Sequence, residues 1–390
     1  MIQTEEIRLT HIVRRWLRPL AATALLGMAA ACGGDGEAAA GQGKDAKAGN
    51  RAGQPAGDTT RAGAQPAPVR TAHGKTAAES QQCFQRLQAR LDSAANAQKA
   101  DSTAKVPGAA RNPVFAKEQG WYPKKGEFRD GDLLPCNRIV AYYGNPASTR
   151  MGALGEFPRD EMLRRLQGEV RRWSEADPST PVIPALHLIA VVAQGAPGPS
   201  GKYRSQVRDQ VVDSIYQMAK SINGILFIDV QVGTDDIRTI MPRFEQFLKR
   251  PDVHFAVDPE FYMRGGVVPG RRIGTMYAAD INWVTDQLAR IVRENNLPPK
   301  VLVIHRFTRN MVPDAQNIRL RPEVEFVMDM DGWGAPWLKY DSYRDYIVRH
   351  PVEFTGFKLF YHNDTKKGDP LMTPRDVLSM WPQPLYIQYQ

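Results

Sequence analysis

The feature that most constrains this chain is a series of eight short apolar runs. They occupy residues 138–144, 182–189, 225–232, 253–258, 301–305, 324–331, 354–361 and 385–390, and most are separated by a stretch of helical spacing. Strands that alternate with helices pair in parallel through right-handed crossovers. Eight such units over roughly 250 residues predict an α/β fold, a closed (β/α)8 TIM barrel. In that architecture the polar residues at the carboxyl ends of the strands face the site, and here many of them are acidic.

The helices between the runs are legible as single apolar stripes. Met162, Leu166, Val170 and Trp173 form one; Val207, Val211, Ile215, Met218 and Ile222 a second; Ile237, Met241, Phe244 and Leu248 a third; Ile281, Val284, Leu288 and Ile291 a fourth. One apolar face is what a helix packed on a sheet requires. Later helices, around 311–318, 342–350 and 374–380, are short. Residues 193–202, with Gly195, Pro197, Gly198 and Pro199, are expected to be a loop. No helix is expected after the eighth run. A helix over 78–98, with Cys83, Phe84, Leu87, Leu91 and Ala94 at helical spacing, is therefore expected to cover the gap between the eighth and first strands. Residues 99–135 are expected to wrap the lower face.

The chain has three cysteines. Arg14, Arg15 and Arg18 precede a short apolar segment, residues 20–31, and Ala29-Ala30-Ala31-Cys32 follows. A positive region and an apolar region too short to span a bilayer describe an export signal. The arrangement resembles the lipobox of bacterial lipoproteins. That resemblance implies cleavage before Cys32, lipidation of its thiol, and a membrane as partner through the lipid. A Gly-, Ala- and Gln-rich segment with few large apolar side chains runs on to residue 75. It cannot bury a core, and as a flexible tether it would reach about 35 Å. In an oxidising compartment the two remaining cysteines, Cys83 and Cys136, are expected to form a disulfide. The expected division is a signal peptide over 1–31, lipidated Cys32 and tether over 32–75, an N-terminal helix and wrapping segment over 76–136, and a barrel over 137–390.

The formal charge of +9 suits anionic surfaces such as phospholipid or wall polymers. No basic run interleaved with aromatics points to nucleic acid.

The fourth run ends Ala-Val-Asp-Pro-Glu-Phe. If the strand continues through it, Asp258 and Glu260 share one face, about 7 Å apart. Repulsion between them would hold one protonated beside an ionised partner, as general acid catalysis needs. The alternative is a strand end salt-bridged to Arg264, Arg271 or Arg272. An Asp-x-Glu at the end of the fourth barrel strand resembles the motif of chitinase-type and lysozyme-type glycoside hydrolases. The resemblance implies Glu260 as the acid and Asp258 as its helper, without cofactor. The sixth run ends Met-Asp-Met-Asp-Gly-Trp-Gly, so Asp329 and Asp331 share a face. Asp331, or else Asp329, is the candidate base or nucleophile.

Around these acids stand the candidate substrate-binding residues. Trp333, between two glycines, is either a sugar platform or a loop anchor. Asp229 and Gln231 share a face on the third run. His305 shares the face of Val301 and Val303 on the fifth. Lys358 and Tyr361 come from the seventh run, Tyr143 from the first and Gln388 from the eighth. Trp337, Tyr262 and Tyr389 are expected to add aromatic surface near the same mouth. The glycine- and arginine-rich stretch 264–272 is expected to be a lid that clamps an anionic group. A glycosidase with a carbohydrate or wall glycan as partner is the leading expectation. A second is a divalent-cation enzyme in which Asp229, Asp258, Glu260, His305, Asp329 and Asp331 converge on one ion. A third is a barrel that binds glycan or a partner without turnover.

Overall fold

The computed structural model describes residues 69, 71–101 and 127–390, with the side chains of 97–101 left aside. The expected signal segment, Cys32, most of the tether and residues 102–126 lie outside the described residues. Among the described residues no helix is long and apolar enough to cross a membrane.

Eight parallel strands close into a barrel. They are β1 (Arg138–Gly144), β2 (Val182–Ala193), β4 (Ile225–Val230), β5 (Val253–Val257), β6 (Lys300–Arg306), β7 (Val324–Met330), β8 (Phe354–Leu359) and β9 (Tyr386–Tyr389). Hydrogen bonding runs β1-β9-β8-β7-β6-β5-β4-β2, and β1 pairs again with β2 to complete the ring. β3 (Arg204–Gln206) lies outside the ring and pairs antiparallel with the end of β2. The stretch 193–202 is the expected loop, and it closes a hairpin that extends β2. Tyr203 at its base accepts from the Gln194 N–H at 2.8 Å.

The flanking helices include α1 (Ala77–Asp101), α2 (Arg159–Ala176), α3 (Asp209–Ser221), α4 (Ala278–Glu294), α5 (Pro336–Ser342) and α6 (Pro374–Leu378). The expected stripes face the sheet: Met162, Leu166 and Trp173 of α2 and Ile281, Val284, Leu288 and Ile291 of α4 are buried. The third stripe lies on short helical turns between Ile237 and Leu248.

Helix α1 lies at the strand entries beside the β9–β1 seam. Arg90 donates to Gln383 Oε1 at 2.8 Å and sits 3.5 Å from Asp177. Leu91 packs with Trp381, and Leu87 packs on the lower barrel core. The Cys83–Cys136 disulfide, between residues 53 apart, ties α1 to the chain entering β1. Below the barrel, buried Glu325 accepts the Leu133 N–H at 3.0 Å and the Leu134 N–H at 2.7 Å. It thereby gives partners to a segment that crosses the floor with no strand beside it.

The interior becomes polar from floor to mouth. Ile139, Ile183, Ile225, Val301 and Phe354 fill the lowest level. Ala141, Ala185, Ala256, Val303 and Val327 surround the large Phe227 and Tyr386 above it. Small residues opposite large ones are how a narrow barrel fills without voids. Gly356 belongs to this level: a methyl group there would lie 2.5 Å from Asp329 Oδ1 and 3.0 Å from the Tyr386 ring.

Candidate functional site

The inward positions next along the strands carry Tyr143, His187, Asp229, His305, Asp329, Lys358 and Gln388, all buried. Gln231, Asp258 and Asp331 stand at the strand exits. Period-two alternation puts them all on the face of the interior apolar residues. The expected convergence of acids from the fourth and sixth barrel strands, here β5 and β7, is present.

The end of β5 differs from expectation. The strand stops at Val257, and Asp258 caps a 3₁₀ turn, Pro259–Phe261. Pro259 has no N–H to continue the ladder and holds the φ that starts a turn. Asp258 and Glu260 are therefore not two positions on one strand face. Instead the Glu260 N–H donates to Asp258 Oδ1 at 2.9 Å. Asp258 is buried and Glu260 half-buried at the rim.

A chain of contacts joins this turn to the other acids. The Gln231 side-chain amide lies 3.5 Å from both Asp258 Oδ2 and the Tyr143 hydroxyl. Lys358 Nζ sits 3.8 Å above the centre of the Tyr143 ring and 2.9 Å from Asp331 Oδ1. His305 Nδ1 is 3.3 Å from Asp329 Oδ2 and 3.3 Å from Asp331 Oδ2.

This crowding separates the acids by protonation. Burial, with the neighbouring Asp331 and Asp229 charges outweighing His305, pushes Asp258 up to about 7. Burial and then the Asp258 charge push Glu260 well above the usual carboxyl range. Burial alone would also raise Asp331, but Lys358 and then His305 overcome it and hold Asp331 low. Burial raises Asp329 against the pull of His305. Burial opposes charge on His305, yet Asp229, Asp329 and Asp331 together raise it well above a free imidazole. His187, buried beside Asp229, is lowered to about 4 and is neutral.

Not every expected residue joins this group. Tyr361 lies past the end of β8 and between sheet and helices. Its hydroxyl donates to Glu169 Oε1 at 2.6 Å and meets the Tyr142 hydroxyl at 3.0 Å. Its ring stacks on Tyr389 at 5.1 Å, and Tyr389 accepts from Trp173 Nε1 at 3.0 Å. Tyr262 is buried in the same outer layer. Gln388 is interior, but it donates to the Tyr386 hydroxyl at 2.8 Å, below the acids. Trp333 is 39 % exposed and Trp337 66 % exposed, which answers the choice between core anchor and open aromatic surface in favour of the surface. The loop that carries Trp333 is fastened by buried Lys339, which donates to Gly332 O at 2.9 Å and Lys358 O at 2.7 Å. In the 264–272 stretch, Arg264 pairs with Asp280, and Arg272 donates to Arg264 O at 2.7 Å. Arg264 is thus committed within the protein rather than held out for an anion.

His187 was not among the sequence candidates, although its face is shared with Ile183 and Ala185. Its Nδ1 lies 2.5 Å from the Tyr386 hydroxyl, and its Nε2 lies 3.5 Å from Asp229 Oδ2. The five acids and one histidine expected around one ion do not form a single coordination set among the described residues. Among the described residues, His187, Asp229 and His305 are the three whose ligand atoms lie within 4.8 Å of one another.

No family model matches the chain, and no curated protein matches it.

Proposed function

We propose that the barrel hydrolyses glycosidic bonds by acid/base catalysis, as part of an exported, lipid-anchored protein that acts on a wall or surface glycan. The observation that carries this reading is a pair of unlike carboxyl groups at one mouth. Glu260 stands half-open on its turn above the buried Asp258, while Asp331 is ion-paired to Lys358 at 2.9 Å. Two acids pushed apart in protonation are the requirement for proton donation and base or nucleophilic work in the same site.

In this mechanism Glu260 delivers its proton to the departing glycosidic oxygen. Asp258 fixes the Glu260 turn through its 2.9 Å hydrogen bond and keeps the proton on Glu260 until the bond breaks. Asp331, held ionised and in place by Lys358, attacks the sugar or activates water. The exposed Trp333 offers an apolar face on which a sugar ring stacks. The Ala29-Ala30-Ala31-Cys32 arrangement supports lipid anchoring, and the Cys83–Cys136 bond suits an oxidising compartment outside the cytoplasm.

The test is release of reducing ends from a panel of cell-wall and soluble polysaccharides by the full chain, compared with Glu260→Gln. Cleavage by the wild type that the variant loses, with circular dichroism unchanged, supports the reading. Equal cleavage by both removes Glu260 from the mechanism.

A further inference from the structure

The geometry points to a divalent transition-metal site inside the barrel, formed by His187 Nε2, His305 Nε2 and Asp229 Oδ2. Asp229 Oδ2 is 3.5 Å from each of the two imidazole nitrogens. All three residues are fully buried, and none of these three atoms has a hydrogen-bond partner. Orphaned polar atoms at full burial are rare and require an explanation. Two ligands at about 2.0–2.1 Å from an ion, subtending a tetrahedral angle, lie about 3.3 Å apart. The observed spacing is close to that and too long for a strong direct hydrogen bond.

The surroundings are those of metal ligands rather than of a closed hydrogen-bond network. His187 and Asp229 are each held through the other heteroatom, while His305 Nδ1 faces two carboxylates at ion-pair distance. His187 Nδ1 is 2.5 Å from the Tyr386 hydroxyl and 3.2 Å from Gln388 Nε2. His305 Nδ1 is 3.3 Å from Asp329 Oδ2 and from Asp331 Oδ2, charge contacts without hydrogen-bond geometry. Asp229 Oδ1 accepts the Val230 N–H at 2.7 Å. A partner behind each ligand, with carboxylates behind a histidine, is the pattern that fixes tautomer and ring orientation at metal centres. Two imidazoles and one carboxylate select a borderline ion such as zinc over magnesium or calcium, which prefer all-oxygen sets.

The site lies one inward position below Gln231 and Asp331, so it supports the mouth from beneath. It stands apart from the hydrolase reading, because its test measures binding and no turnover.

The experiment uses the full chain stripped with chelator and dialysed against Zn2+, with Ca2+ and Mg2+ in parallel. Metal content is measured, and visible absorption is recorded after loading with Co2+. The expected result is roughly one zinc per chain and the d–d bands of a four-coordinate N/O site. Asp229→Asn, which keeps the side-chain shape, and His187→Ala weaken zinc binding at least 100-fold, while His362→Gln on the exposed surface leaves it unchanged. Circular dichroism reports folding of each variant, and the wild-type stoichiometry and spectrum stand without them. Absence of stoichiometric zinc in the wild type overturns the site. So does zinc binding that survives in folded Asp229→Asn, or a preference for Ca2+ or Mg2+.

Discussion

Asp258→Asn separates what the buried acid does for chemistry from what it costs the fold. Asp258 is buried, and its carboxyl is pushed from 3.8 to about 7. The folded state therefore holds the proton more tightly than the unfolded chain. Stability from this group is fully present below pH about 4 and is lost as pH rises through about 7, where burial of the charge sets in. A shift of about three units corresponds to roughly 4 kcal/mol, with a steepest slope of about 1.4 kcal/mol per pH unit. Asparagine still accepts the Glu260 N–H through its carbonyl but carries no titrating proton. Urea unfolding of wild type and variant from pH 4 to 8 should give stabilities that diverge by about 4 kcal/mol in favour of the variant as pH rises. Curves that stay parallel across this range would refute the assignment. Activity should move the other way, because the variant no longer keeps the proton on Glu260.

Other consequences follow from single contacts. Lys358→Met removes the buried partner of Asp331 and should destabilise the protein by about 3–5 kcal/mol in urea unfolding. Trp333→Ala should leave thermal stability unchanged, since the side chain is 39 % exposed, and should raise KM for a cleaved glycan about 2- to 12-fold with kcat kept. The double variant Cys83→Ala/Cys136→Ala opens a loop of 53 residues and should lose about 4 kcal/mol of stability, read from the denaturation midpoint.

Much of this arrangement could be read from alternation. The parity that sets Val301, Val303 and His305 on one face, and Asp329 with Asp331 on another, survives in the barrel because β6 and β7 stay regular to their ends. Parity failed where a strand ends early. β5 stops at Val257 before a proline, so Asp258 and Glu260 are related by a turn. On β8 alternation itself sets Tyr361 opposite inward Lys358, on the outer face with Phe357 and Leu359, so it joins the helix layer and not the mouth. β2 continues to Ala193 and folds back as a hairpin, which the glycines and prolines of 193–202 conceal. His187 is the lone ionisable residue in an apolar run, which hides it as core, although Ile183 and Ala185 share its face. Glu325 and Lys339 satisfy backbone groups from distant segments, and no local pattern announces such partners.

The claim at the centre is that Glu260 is the proton donor. The most direct measurement compares Glu260→Gln with wild type on paired glycosides of one sugar, one with a poor leaving group and one with a leaving group that departs without protonation. The account predicts a loss of about 10²–10⁴-fold on the first and little loss on the second. Equal losses on both, or none on either, would contradict it.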